Sequence, residues 1–298
     1  FLCLIIMKNL RFAPWIALFM VLLGSIPVIL SYKGVTLAKT IGILVVIAII
    51  SALWVWRINT RKRSDRSQRV VLTANDIYWL KEHIPFYNGL NKDDKKTFED
   101  RIGIFMADIT ITEVGEEVAD QSTCMYVASS AVIAFWGLPY WNYGDLHEVL
   151  VYPSNFDADN KLNKIGQVQG KVYHGGLMDN TMILSLPSLK SGFQIENDKK
   201  NVGVHEFAHL LDKSDGSIDG MPEFMGEEDR AIWAELMDEE IRKIKDKDST
   251  IPEYGATNHG EFFAVVMEYY RECPSLLKIK HRPLFDVLEK HLAVPKKD

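Results

Sequence analysis

Two stretches near the start of the chain carry no charged residue: residues 12–32, 21 positions long, and residues 40–56, 17 positions long. A helix crossing the hydrocarbon of a bilayer needs roughly 17–25 apolar residues, so both are long enough. The link between them holds Lys33, Gly34 and Lys39 and is too short for a domain, which predicts a hairpin of two transmembrane helices within residues 1–60. Trp15, Trp54 and Trp56 fall near the span ends, where interfacial aromatics gather. Pro14 and Pro27 also lie near the ends of the first span, where lost helix hydrogen bonds matter least. A cleaved leader peptide is the rival reading of the first run, but no clear small-x-small cleavage site follows it. Two buried core helices would be the plainer reading of the pair.

After a basic linker over residues 61–74 the pattern changes to that of a folded domain, residues 75–298. Helical spacing of apolar positions covers residues 77–84 and 92–109, the latter with Phe98, Ile102, Phe105, Met106 and Ile109 on one face. Residues 109–114 alternate as a short strand does. Residues 122–136 are strongly apolar, but Ala128, Ser129, Ser130 and Ala131 suit a tightly packed buried helix, and 15 residues are short for a bilayer. Strands are expected over residues 147–152, 171–173 and 181–186, the last two joined by a turn with Gly175, Gly176, Asp179 and Asn180. Helices follow over residues 200–211 and 227–247, and a last one runs from near Asn258 to before Pro274. Helices, a small sheet, then helices make an α+β domain.

Charge sharpens this division. Residues 1–70 carry ten Lys/Arg against Asp65 alone, a net +9, and the remainder carries −15, giving −6 overall. Arg57, Arg61, Lys62, Arg63, Arg66 and Arg69 follow the second apolar run directly. The positive-inside rule keeps such a cluster in the cytoplasm, so the expected location is the inner (cytoplasmic) membrane, multi-pass, with the acidic body in the cytoplasm. That acidic body lacks the basic surface that displaces phosphate counterions, so direct nucleic-acid binding is not expected. Cys3, Cys124 and Cys273 are widely spaced without a CxxC pair and read as free thiols of a reducing compartment.

The chemistry concentrates in His205-Glu206-Phe207-Ala208-His209. Positions i and i+4 share a helix face, so both imidazoles can reach one metal, and Glu206 between them is placed to take a proton from water. Val202, Val204, Phe207, Leu210 and Leu211 frame the trio with apolar residues, and burying three ionisable groups there is costly unless something satisfies them. Catalytic zinc takes three protein ligands and leaves a position for water. Glu261, at the start of an apolar helix, is the candidate third ligand. Glu268 is seven residues on, on roughly the same face, and could be the ligand instead or an acceptor that orients a histidine. His259, His174 or His147 could also supply the third ligand, though each has an ordinary structural explanation. Tyr254, seven residues before Glu261, could hydrogen-bond the oxyanion formed when water adds to a carbonyl, or be a packed tyrosine. Asp212 could orient an imidazole or cap the helix end. The strand over residues 181–186 is expected to pair with extended substrate, as edge strands do.

Three stretches together resemble the Mlc titration factor A family of zinc peptidases: His147-Glu148-Val149-Leu150-Val151-Tyr152-Pro153, the His205–His209 motif with Leu211-Asp212, and Glu261-Phe262-Phe263-Ala264-Val265. The resemblance spans residues 75–290. It implies a zincin-like metallopeptidase fold and aminopeptidase-like cleavage of peptide substrates. It also implies ligand roles for His205, His209 and Glu261, the base role for Glu206 and an oxyanion-stabilising role for Tyr254. Two departures stand out. Where enterobacterial members carry an additional zinc-binding histidine after a Gly-Leu-Val stretch, this chain has Gln169 after Gly166-Gln167-Val168. Those members are also soluble, whereas a membrane hairpin is expected here, so their namesake regulator Mlc is not assumed as a partner. Sequestration of a transcription factor, with hydrolysis incidental, is the competing function; a membrane structural protein with a fortuitous motif is the third.

Overall fold

The computed structural model describes residues 69–139, 142–155, 170–172 and 180–293. The two apolar runs, residues 61–68 of the linker, residues 166–169 and His174 lie outside the described residues. Among the described residues no helix is long and apolar enough to cross a membrane. These described residues form a helix-dominated, mixed α/β fold with one small sheet.

The first helix, α1 (Ala74–His83), starts at Thr73, whose hydroxyl and backbone amide exchange hydrogen bonds with Asp76 in a capping box. After the single turn α2 (Pro85–Asn88) comes α3 (Lys92–Asp108), capped by Asn91 and burying Phe98, Ile102 and Phe105. Strand β1 (Thr110–Glu113) leads to α4 (Gln121–Ala134), which is buried from Met125 to its end. Two arginines close that helix. Arg101 donates to the carbonyls of Phe135 and Leu138, and Arg271 to those of Ala134 and Trp136, satisfying groups that a helix C-terminus leaves open.

Strands β2 (Glu148–Tyr152), β3 (Gly170–Val172) and β4 (Thr181–Ser185) complete a sheet of order β1-β2-β4-β3. β1, β2 and β4 are mutually parallel, with Thr110 opposite Glu148 and Glu148 opposite Thr181. Among the described strands only β3 runs antiparallel, Gly170 facing Leu184. Helix α4 crosses over between β1 and β2, so the helices are interleaved with the sheet more than the expected α+β order implies. A second difference concerns the strand over residues 181–186, expected at an edge where substrate could pair with it. Thr181–Ser185 is buried at every position and hydrogen-bonded on both sides, so β3 holds the outer position instead.

Helix α5 (Leu186–Gln194) was not expected. Its Pro, Ser and Gly content disfavours a helix, but Ser185 caps it and Leu189 and Phe193, one turn apart, are buried. Then come α6 (Val202–Asp212), α7 (Gly226–Lys245), the 3-10 turn Glu253–Ala256 and α8 (His259–Glu272). Beyond Pro274 lie two further unexpected helices, α9 (Pro274–Lys280) and α10 (Arg282–Leu292). The core joins Phe207 of α6, Trp233 of α7 and Phe262 and Phe263 of α8, all fully buried. α6 is wedged between α8 and α4, and its outer side meets β3.

Candidate metal centre

Helix α6 is fixed at its start by Asn201, which is almost wholly buried. The Asn201 side chain accepts from the Val204 amide and donates to the Gly192 carbonyl, while its backbone amide donates to Glu268 Oε2 at 2.6 Å. The other Glu268 oxygen, Oε1, lies 2.7 Å from Nδ1 of His205. A carboxylate only accepts, so Nδ1 carries a proton, and in the neutral ring Nε2 of His205 holds a lone pair. That lone pair faces Glu261 Oε2 at 3.1 Å and Nε2 of His209 at 3.2 Å, and His209 Nε2 is 3.6 Å from the same Glu261 oxygen. Glu261 stands in the first turn of α8, where its amide donates to the capping Asn258 side chain and the helix dipole favours a carboxylate.

Three electron-pair donors thus point at one another, with a donor atom from each of His205, His209 and Glu261 within 4.8 Å of the others. The arrangement repels itself unless a cation, a proton or a metal ion, sits among them. Two imidazoles and one carboxylate match the donor set of a catalytic zinc site, so the residues present fit such an ion.

The electrostatics carry the same signature. Burial opposes charge on His205, yet Glu261 and Glu268 outweigh it and raise its pKa well above the usual value. Burial would raise Glu261, but the two imidazoles overrule it and hold its carboxyl well below the ordinary range. Glu206, 6% exposed, has its pKa raised by burial, against the pull of both histidines. Directly above it runs β3. A Cβ on Gly170 would come within 2.6 Å of Glu206 Cγ and Oε1. Gly170 is absent from the sequence-based candidates, and nothing local marks it.

Tyr254, 56% exposed, stands at the mouth with its ring 5.9 Å from that of His205. Burial of its hydroxyl, then the charges of Glu261 and Glu206, push its pKa up to about 12, so the phenol stays protonated and able to donate. Gly170, His205, Glu206, His209, Tyr254 and Glu261 line a cleft of about 740 Å³, to which Ile218 and Asp219 also contribute.

The remaining candidates fall elsewhere. Glu268 lies behind His205, bonded to the nitrogen turned away from the cluster, and is outside the donor set. His259 reaches the cleft but pairs with Asp238 at 3.1 Å, outside the donor set. His147 is exposed just before β2, its backbone bonded to Asn180 and Thr110. Asp212 is wholly buried at the end of α6. Its Oδ2 accepts the Gly220 amide at 2.8 Å, and burial pushes its pKa up to about 7.

A family model described as glucose-regulated metallo-peptidase M90 matches residues 56–292. An uncharacterized protein of Synechocystis sp. is 28% identical over 222 residues, covering 71% of this chain and 81% of its own. Mlc titration factor A of Pectobacterium atrosepticum is 29% identical over 156 residues, 48% of this chain and 58% of its own. Mlc titration factor A of Escherichia fergusonii is 32% identical over 141 residues, 44% and 52% respectively. The chain therefore matches little more than half the length of these Mlc titration factor A relatives.

Proposed function

The chain belongs to the glucose-regulated metallo-peptidase M90 family, and from that premise we propose that it is a zinc-dependent peptidase in which His205, His209 and Glu261 hold the metal. The observation that carries this reading is the convergence of those three donors in a cleft floored by Glu206. Zinc bound there supplies a Lewis acid that polarises a carbonyl and makes water a stronger acid. Glu206, whose pKa burial raises, takes the proton from the attacking water and passes it to the leaving amine. Tyr254 donates its hydroxyl proton to the substrate oxygen that gains charge as water adds. Glu268 keeps the His205 ring in the tautomer a ligand needs. The outer edge of β3, beside Glu206, pairs with the backbone of an extended peptide.

The anchor belongs to the same proposal. Uncharged runs over residues 12–32 and 40–56 followed by a basic cluster support a membrane hairpin with the peptidase domain in the cytoplasm. A second role, binding a regulatory protein partner, is favoured by the name Mlc titration factor A of two relatives. Glu206→Gln tests the first role. The variant should keep one zinc per chain and lose at least about 100-fold in cleavage of a peptide library. Cleavage at the wild-type rate by the zinc-loaded variant would refute the mechanism.

A further inference from the structure

Glu268 accounts for the rear nitrogen of His205, which leaves the corresponding nitrogen of His209. Its Nδ1 is buried and makes no hydrogen bond. Three residues on, on the same face of α6, Asp212 offers a matching deficit: Oδ2 holds the Gly220 amide, while Oδ1 is buried with no hydrogen-bond partner. Nδ1 donates when it carries the ring proton, Oδ1 accepts when the carboxyl is ionised, and both atoms are buried.

We infer that Asp212 is the positioning residue for His209, its Oδ1 receiving the Nδ1 proton so that Nε2 presents its lone pair to the donor cluster. The inference rests on the ligand role proposed above for His209. Asp212 is well anchored for the task. The residue it grips, Gly220, is held by its carbonyl, which accepts from Trp233 Nε1 at 2.8 Å. Gly220 also has φ +76°, and a Cβ there would meet the His259 carbonyl oxygen at 2.4 Å, so this point of the chain has no room to shift. Asp212 thereby ties the helix bearing both histidines to the loop bearing Ile218 and Asp219, and a single carboxylate serves ligand orientation and cleft wall together.

The competing explanation is that Asp212 only clamps Gly220. Asp212→Asn separates the two. The amide oxygen of Asn still accepts from Gly220, so a clamp survives. Its NH2 group, turned to His209, would require a lone pair on Nδ1 and drive the proton onto Nε2, where it blocks coordination. The test measures zinc affinity of the full chain by chelator competition, beside thermal unfolding of the metal-free chain. Asp212→Asn should weaken zinc binding by about 10–100-fold with the metal-free melting temperature unchanged. Affinity within about threefold of wild type in a normally folded variant overturns the inference. His209→Ala runs alongside: if it too binds zinc like wild type, the ligand assignment beneath the inference fails first. Should Asp212→Asn not fold, the His209 Nδ1 proton of the zinc-loaded wild-type chain decides by NMR. A strongly downfield proton on Nδ1, as a hydrogen bond to a carboxylate gives, supports the inference, and an Nδ1 proton at the shift of an unbonded imidazole, or no proton on Nδ1, overturns it.

Discussion

Replacing Gly170 by alanine should separate stability from turnover. The added Cβ would stand 2.6 Å from Glu206 Cγ and Oε1 and 2.8 Å from its Cδ, where carbon atoms normally rest at about 3.5–4.0 Å. Something must move by roughly 1 Å. β3 is hydrogen-bonded to β4 across Gly170–Val172, whereas Glu206 ends in a rotatable carboxylate, so the side chain yields. Moving a side chain costs the fold little, less than the ~1–3 kcal/mol of an overpacked core. Displacing the base by ~1 Å is far more damaging to the rate, on the order of 100-fold, or about 2.7 kcal/mol in the transition state. Steady-state hydrolysis of a chromogenic peptide, zinc content and a melting curve read these separately. The expected result is a loss in kcat, with zinc content and melting temperature near wild type. Combination with Glu206→Asp, one methylene shorter, should be less than additive because the clash is relieved. A kcat within about threefold of wild type would refute the claim that the β3 backbone sets the position of the base.

Two further predictions concern the scaffold. Burial, reinforced by Asp198, Glu268 and Glu196, pushes the Glu272 pKa up to about 7 from 4.5, against the Asn201 amide that bonds it. The unfolded chain then loses its proton first, so wild-type stability falls as pH rises from about 4.5 to about 7, by at most about 3 kcal/mol before solvent screening. Glu272→Gln should therefore match wild type in urea denaturation near pH 4 and exceed it at pH 8; an equal change at both would contradict the sign. Gly203→Ala would place a Cβ 2.1 Å from Ser130 Oγ where α6 crosses α4, an overpacking cost of ~1–3 kcal/mol set against ~1 kcal/mol of better helix propensity. Calorimetry should show a lower melting temperature partly restored by Ser130→Gly, and an unchanged value would mean the crossing is looser than described.

How much of this was legible from the residues depended on distance along the chain. The spacing of His205 and His209 fixes their common face, and apolar periodicity located most helices to within a few residues. The α10 helix was readable too, since Leu284, Phe285, Leu288 and Leu292 repeat at helical spacing. α5 was not, because its reason to exist is the burial of Leu189 and Phe193 against other elements. Sequence left open whether Glu268 faces a metal or a histidine; the answer lies in the Asn201 amide, which holds it behind His205. Strand order is likewise invisible in alternation, so the central position of Thr181–Ser185 and the outer position of Gly170 needed the sheet itself.

The donors come from two helices: a pair on α6 and one carboxylate 56 residues later on α8. An ion bridging them works as a removable rivet between separate parts of the scaffold. Occupancy and global stability then become one thermodynamic quantity, because a ligand favouring the native ensemble drains the unfolded one. Supply of the ion in the surrounding medium would thus govern how long each copy persists as well as how fast it turns over.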